Sequence, residues 1–102
     1  MASKLDTLES RLYQQLLGEG HKPERWSNGP DAIYGVHEHP YGKILVVASG
    51  SITFTIDGGT RVVSMKPGDR LELPPHTPHS ALVGPEGVVC LEAHRLEQRS
   101  SP

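Results

Sequence analysis

The sequence predicts an all-β domain, an antiparallel sandwich or barrel with one short N-terminal α-helix. Eleven glycines and nine prolines among 102 residues indicate many tight turns, because glycine permits positive φ and proline fixes φ. Short apolar or alternating runs follow one another from residue 31 onward, with no helical period between them. A parallel sheet needs helical crossovers, so the strands are expected to pair antiparallel.

The size and composition of the chain predict one compact core. A chain of 102 residues is too short for two independent cores. Aromatic residues make up only 5% of it, so burial depends on aliphatic side chains, and such a small core gains from pairing with a second copy. We therefore expect a homodimer, with an N-terminal helix over residues 1–20, a barrel over 21–96 and a flexible tail over 97–102.

Charge and hydropathy exclude several classes of partner. The formal net charge is −2 at pH 7 and there is no basic stripe, so neither nucleic acid nor an anionic membrane surface is expected to bind. No segment approaches the roughly 20 apolar residues that span a bilayer. Cys90 is the only cysteine, so no intramolecular disulfide can form. These observations predict a cytoplasmic protein.

The first 20 residues have the period of an amphipathic helix. Ser3 is expected to cap its start, and Gly18 or Gly20 to supply a left-handed exit. The turn-rich segment 18–30 is expected to be an ordered crossing rather than a linker. One apolar stripe at spacings of three and four is formed by Leu5, Leu8, Leu12 and Leu16.

The remaining segments are interpreted as six or so short strands separated by turns. Asp57, Gly58 and Gly59 have the sequence of a hairpin turn, since Asp and Gly tolerate positive φ. Residues 84–87 are expected to return the chain into the final strand. The predicted strands cover residues 43–48, 51–57, 60–65, 70–73, 79–83 and 88–93.

His37 and His39 are two residues apart, which is the spacing that places both side chains on the same side of a strand. Two imidazoles placed in this way can reach one metal ion. His79 begins a distant strand, and an antiparallel neighbour could bring it to the first pair. Surface strands often carry such a pair without binding metal, so the spacing alone does not establish a site.

The neighbourhood of this pair resembles the first motif of the cupin family. In that motif His-x-His is followed after three residues by Glu and after six more by Gly. The corresponding positions here are His37, His39, Lys43 and Gly50.

A second stretch resembles the other cupin motif, Gly, five residues, Pro-x-Gly, two residues, His, which falls on Gly68, Pro74, His76 and His79. The resemblance covers roughly residues 31–94, most of the chain, and rests on these two motifs. The resemblance implies a cupin-type antiparallel β-barrel, which is a jelly-roll-like, double-stranded β-helix.

The resemblance to cupins also implies a metal site. Its ligands would be His37, His39 and His79, holding one divalent transition metal ion. Imidazole suits Fe, Zn, Ni, Mn or Cu in different degrees, so the ligands do not identify the metal. His76 replaces the glycine of the second motif and is a further candidate ligand, although its place in a bend favours a bystander.

Lys43 departs from the family pattern, because it stands where cupins have a glutamate ligand. A protonated lysine cannot coordinate a metal, and three neutral imidazoles leave the charge of the ion uncompensated. Three answers are open. A bound hydroxide or carboxylate could bridge the metal and Lys43, Lys43 could turn away or lose its proton, or the site could be empty.

The similarity to three-histidine cupins, which include thiol and diketone dioxygenases, implies a metal-dependent enzyme acting on a small acidic molecule. Lys43 and Tyr41 are the candidate catalytic residues, and Lys43 is expected to pair with the small, anionic ligand. Tyr34 and Tyr41 flank the histidine pair, where each could hydrogen-bond the ligand or only pack in the wall. A non-catalytic domain that binds or senses a small molecule or the metal is the second hypothesis. A metal-free barrel that acts through dimerisation is the third.

Other residues are expected to have no part in the site. Glu72 and Glu92 lie within strands and are expected to face solvent, although an inward glutamate could replace the missing carboxylate or act as a base. His21 and His94 are expected to be solvated. Cys90 lies in an apolar strand and is expected to be a buried, inert thiol.

Overall fold

A computed structural model describes residues 7–95, which form one helix and six antiparallel strands. The predicted all-β fold with a short N-terminal helix is confirmed, while the predicted tail at 97–102 lies outside the described residues. The elements are α1 (Leu8–Gly18), β1 (Glu24–Asn28), β2 (Ile33–His37), β3 (Gly42–Ile56), β4 (Arg61–Met65), β5 (Arg70–Leu73) and β6 (His79–Arg95).

Two long strands, β3 and β6, organise the sheet. They pair antiparallel from Gly42 opposite Arg95 to Ile56 opposite His79, with register shifts between Val47 and Ser49 and between Gly50 and Ile52. β1 and β5 flank one end of this pair, which we call the lower half-sheet, and β2 and β4 flank the other end, the upper half-sheet. Among residues 7–95 the outer strands are not hydrogen-bonded to one another. The fold is therefore an open jelly roll.

The prediction of separate short strands on either side of residues 49–50 and 84–87 was wrong, because β3 and β6 are each continuous. Residues 84–87 bend β6 rather than return the chain. Gly50 and Gly87 have φ of 74° and 81°, and a Cβ on Gly50 would lie 1.9 Å from the Gly87 carbonyl oxygen. The two glycines thus allow a close approach of the strands at the register shift, where residues 84–87 of β6 have no partner on β3.

The segment between the helix and the barrel, expected to be an ordered crossing, is ordered and also contains a strand, β1, that the turn-rich sequence did not predict. β1 pairs with β6, with Trp26 opposite Cys90. Trp26 is the one partly buried side chain of β1, and the others are exposed. An edge strand that buries a single side chain has no repeated alternation by which it could be predicted.

The helix covers the outer face of the lower half-sheet. Leu16 is 1% exposed and packs, together with Leu12, on four residues of β3 and β6. Ion pairs connect both ends of α1 to the sheet: Arg25 pairs with Glu9 at 2.8 Å, and Arg70 pairs with Glu19 at 2.8 Å. The half-sheet is consequently buried on both faces. The strand residues under the helix are Ile44, Val46, Leu91 and Ala93.

The ends of α1 use local signals, one of which differs from the prediction. The Thr7 hydroxyl accepts a hydrogen bond from the Ser10 N–H at 3.0 Å, so Thr7 is the N-cap in place of Ser3, which lies outside the described residues together with Leu5. Gly20 has φ of 92° and provides the left-handed exit.

The outer face of the upper half-sheet is exposed, and no helix within residues 7–95 covers it. It carries apolar side chains that are more than half exposed, namely Ile33, Val36, Val62 and Leu82. The homodimer stays a prediction. Within residues 7–95, no helix has the length and apolar character that crossing a membrane requires.

Replacing Gly50 with alanine should destabilise the fold by about 3 kcal/mol, because the new Cβ would collide with the backbone at Gly87. Gly58→Ala is the matched control, since Gly58 has φ of 69° but no atom near its Cβ position. It should cost only about 1 kcal/mol of backbone strain. Urea unfolding measures both, and equal losses would contradict the close approach.

Leu16→Ala should cost about 2–5 kcal/mol, because it opens a cavity between α1 and the lower half-sheet. Leu17, its neighbour, is 42% exposed, so Leu17→Ala should change stability by less than about 1 kcal/mol. Thermal or urea unfolding followed by circular dichroism distinguishes the two. Similar losses would mean that α1 does not pack on the sheet through Leu16.

Candidate metal centre

Three imidazoles converge at one end of the interior. β2 ends at His37 and β6 begins at His79, and the two residues are directly opposite in the register. His39 lies just beyond the end of β2. The ring centroids are 4.3 Å apart for His37 and His79, 4.9 Å for His37 and His39, and 5.5 Å for His39 and His79. Their ligand nitrogens all lie within 4.8 Å of one another.

Each ring of the trio has its Nδ1 occupied by a protein group. Nδ1 of His37 donates to the Gly35 carbonyl oxygen at 2.7 Å, and Nδ1 of His79 donates to the Thr77 carbonyl oxygen at 2.8 Å. A carbonyl only accepts, so the proton of each neutral ring is on Nδ1 and the Nε2 lone pair is free. Backbone bonds of this kind orient metal-binding histidines.

The ring and the backbone of His39 each contact a protein group. Its Nδ1 lies 3.2 Å from the Tyr41 hydroxyl, and its carbonyl accepts a bond from the His76 N–H at 2.6 Å. Its Nε2 is buried and has no hydrogen-bond partner among the residues that the structure describes. A buried polar nitrogen without a partner lowers the stability of the fold. A metal ion bound to Nε2 would provide that partner.

Burial lowers the pKa of both His39 and His79. For His79 the opposing effect of the Thr77 carbonyl is smaller, and the positive charges near both rings act in the same direction as burial. The neutral form, which is the form that binds metal, is therefore favoured in both residues.

The trio lines a cavity of about 280 Å³ between the two half-sheets. The lining combines the three imidazoles, Ser27, Lys43 and Glu92 with apolar and aromatic side chains. The lining residues are Trp26, Ser27, Tyr34, His37, His39, Lys43, Leu45, Ile52, Phe54, His79, Ala81 and Glu92.

Lys43 and Glu92 face this cavity as an ion pair. Nζ of Lys43 lies 3.1 Å from Oε1 of Glu92, and the side chains are only 13% and 16% exposed. Trp26 donates its indole N–H to the same oxygen at 3.0 Å. The expectation that Glu92 faces solvent was wrong. Glu72 does lie at the surface, where its carboxylate pairs with Arg70.

Tyr41 lies behind the trio rather than on the cavity wall. Its ring stacks on His39 at 5.0 Å and on His94 at 4.0 Å. His94 is exposed, as expected, but it belongs to β6 rather than to a tail, and its Nε2 is 3.4 Å from Oε2 of Glu92. Two imidazoles and a phenol thus form a stack that reaches from the rim to His39.

The other sequence candidates lie away from the trio. His76 has a largely exposed ring whose Nδ1 is 3.4 Å from Glu38. His21 is partly buried beside Glu19 rather than solvated. Tyr34 lines the cavity, and its hydroxyl accepts a bond from the Asn28 amide at 2.6 Å. Cys90 is buried as expected, and burial raises the pKa of its thiol to about 12.

These residues fit a divalent transition metal ion. Three imidazoles present free Nε2 atoms, two of them with Nδ1 protons fixed by carbonyls, and one Nε2 is buried without a protein partner. Nitrogen donors of this type suit Zn, Fe, Cu and Ni better than Mg or Ca.

The metal-free protein should lose stability as the pH falls below about 6.5. His39 and His79 have lowered pKa values in the folded state, so the unfolded chain binds protons that the folded chain does not. The contribution is fully present above the unfolded pKa and is lost as the pH falls through the lowered values. Urea unfolding from pH 8 to 5 should show a shallower pH slope for the double variant His39→Gln, His79→Gln, and an unchanged slope would contradict this account.

Solved structures with the same fold come from several bacteria. The DMSP lyase DddQ of Ruegeria pomeroyi is 20% identical with a TM-score of 0.67, covering 78% of this chain but 40% of the lyase. An RmlC-like cupin from Shewanella frigidimarina is 22% identical with a TM-score of 0.65, over 78% of this chain and 68% of that one. KdgF from Halomonas sp. is 22% identical with a TM-score of 0.61, over 74% and 69%.

A search of curated proteins found no match. The sequence model described as "Cupin domain" matches residues 25–94, which is more than half of the chain and includes both motifs and the imidazole trio. The structural likenesses agree with this match at the level of the fold. The chain belongs to the cupin family.

Proposed function

We propose that this chain is a metal-binding cupin in which His37, His39 and His79 hold one divalent transition metal ion. The observation that carries the proposal is the buried Nε2 of His39, which has no protein partner and lies among two further imidazoles. A site without metal would leave this nitrogen unpaired at a cost in stability.

The residues around the trio have separate roles in this proposal. The carbonyls of Gly35 and Thr77 orient two of the ligands, and Tyr41 orients the third. When bound by three protein ligands, such an ion keeps coordination positions open for a substrate or an activated water. The aliphatic and aromatic walls of the cavity limit the water around that position.

We further propose that the site is enzymatic, with dioxygenase-like chemistry on a small acidic molecule. Lys43 places an ammonium on the cavity wall, where it can pair with a carboxylate of the substrate. One protein of similar fold is named as an enzyme, the DMSP lyase DddQ. Lyase activity therefore belongs in the same screen as oxygen consumption.

The second candidate is a non-catalytic domain that binds or senses a metal or a small molecule. Its support is the state of Glu92, which is the one carboxylate among the lining residues described. Both Lys43 and Trp26 contact Oε1 of Glu92, so this carboxylate is not free to act as a general base. In either case we expect a cytoplasmic homodimer that binds neither nucleic acid nor membrane.

Protein purified without a histidine tag should contain about one equivalent of transition metal per chain, measured by elemental analysis. His37→Ala and His79→Ala should each lose it, because two remaining imidazoles hold an ion poorly. His21→Ala is the matched control, since His21 lies beside Glu19 outside the cavity, and it should retain the metal. His76→Ala should also retain it.

Circular dichroism of each variant separates loss of metal from loss of fold. Stoichiometric metal in folded His79→Ala would refute the proposed site, and loss of metal in His76→Ala would add a fourth ligand. Turnover of small acids by the metal-loaded protein, measured as oxygen uptake or as product by mass spectrometry, favours the enzyme. Stoichiometric metal without turnover across the screen favours the sensing domain.

A further inference from the structure

We propose that the cavity binds a monocarboxylic acid with an apolar body, whose carboxylate contacts the Lys43 ammonium and whose body packs on the wall that contains Trp26 and Phe54. This inference rests on the proposed function, because it takes the imidazole trio as one end of the same cavity. It goes further by naming which acids fit and which do not.

The ammonium of Lys43 is held in place but not saturated. It has three N–H donors, and Glu92 is its single ion-pair partner within residues 7–95. The side chain is 13% exposed, so its position is restricted by the surrounding walls. Donors that remain free on a fixed, partly desolvated ammonium suit a carboxylate oxygen, since charge-assisted hydrogen bonds are the stronger class.

Glu92 fixes the lysine and at the same time limits the charge of the ligand. Its Oε1 accepts from the Trp26 indole and faces Lys43, and its Oε2 lies 3.4 Å from His94. The carboxylate is therefore immobilised next to the ammonium. A second negative charge on the ligand would approach Glu92 in a partly dehydrated cavity, where like charges repel more strongly than in water. A monoacid is favoured over a diacid.

The wall beyond this ion pair has no charge. Leu45, Ile52 and Ala81 line it with aliphatic groups, and Phe54 adds an aromatic face 6.3 Å from the His79 ring. Trp26 meets Tyr34 edge to face at 5.8 Å. Burial of apolar surface here stabilises a ligand with a hydrocarbon or aryl body.

The volume limits the size of that body. Drug-sized ligands occupy pockets of about 300–1,000 Å³, and this cavity of about 280 Å³ lies below that range. A single ring or a short branched chain fits, attached to one carboxylate. The carboxylate also supplies the negative charge that three neutral imidazoles do not offer to a divalent ion.

The test uses Trp26 as its reporter, because it is the only tryptophan in the chain and lines the cavity. Zinc-loaded protein is titrated with 3-phenylpropionate, and the quenching or shift of indole fluorescence gives Kd. The neutral 3-phenylpropionamide and the diacid phenylsuccinate are the comparison probes. We expect the monoacid to bind about tenfold or more tightly than either.

The second part of the test repeats the titration after the Lys43–Glu92 ion pair has been removed. The double variant Lys43→Met, Glu92→Gln keeps side-chain volume and an acceptor for Trp26 without leaving a lone buried charge. It should weaken 3-phenylpropionate about tenfold or more while the amide is unaffected. Lys66→Met is the matched control, because the Lys66 side chain is 79% exposed, and its Kd should equal that of the unmodified protein.

The zinc content of each sample separates the two proposals. Stoichiometric zinc with equal binding of acid and amide, or with no effect of the double variant, overturns the monocarboxylate and leaves the metal site intact. Absence of zinc with Lys43-dependent binding of the acid overturns the metal site and supports the ligand. If neither zinc nor the acid binds, both proposals fail.

Discussion

The antiparallel pairing of β3 with β6 is the constraint on which the rest of the molecule depends. Its upper end places His79 at the start of β6, where β2 brings His37 directly opposite. Its lower end carries Lys43 and Glu92 on the interior face. Both ends line one cavity. His37, His79, Lys43 and Glu92 lie on strands, whose hydrogen bonds hold them in place, while His39 lies just beyond the end of β2.

The same pairing explains why the charge of the site is arranged as it is. The position at which cupins carry a glutamate ligand is Lys43 here, and a carboxylate is nevertheless present in the cavity on β6. Glu92 reaches Lys43 rather than joining the imidazoles. The negative charge therefore positions a cation, and the imidazole trio remains a set of neutral donors. The acidic group is therefore not simply lost: a carboxylate is kept in the cavity but contacts Lys43 instead of the imidazoles.

The fold class and the imidazole trio could be predicted from the sequence, because turn residues, strand alternation and two spaced motifs are local signals. The inward direction of Glu92 could not. Val88, Cys90 and Glu92 share the interior face of β6, but Leu91 and Ala93 on its other face are buried under α1. Burial on both faces removes the apolar–polar alternation that shows which way a side chain points.

Long-range contacts account for the other differences between the sequence-based predictions and the structure. The continuity of β3 and β6 depends on a meeting of Gly50 with Gly87, and the sequence around each glycine is that of an ordinary turn. The strand β1 exists because β6 offers it a free edge, and Trp26 is its one partly buried side chain. His94 was expected in a tail, yet β6 continues to Arg95. None of these features can be predicted from a short stretch of the sequence.

The β3–β6 ladder also has a consequence for the order in which the chain assembles. The pair Ile56 and His79 is much closer along the chain than the pair Gly42 and Arg95, and closing the shorter loop costs less conformational entropy. Assembly that begins at the shorter loop proceeds from the histidine end of the ladder toward the helix end. Pairing between such distant segments is intrinsically slow, so this small domain should fold more slowly than a helical bundle of equal length.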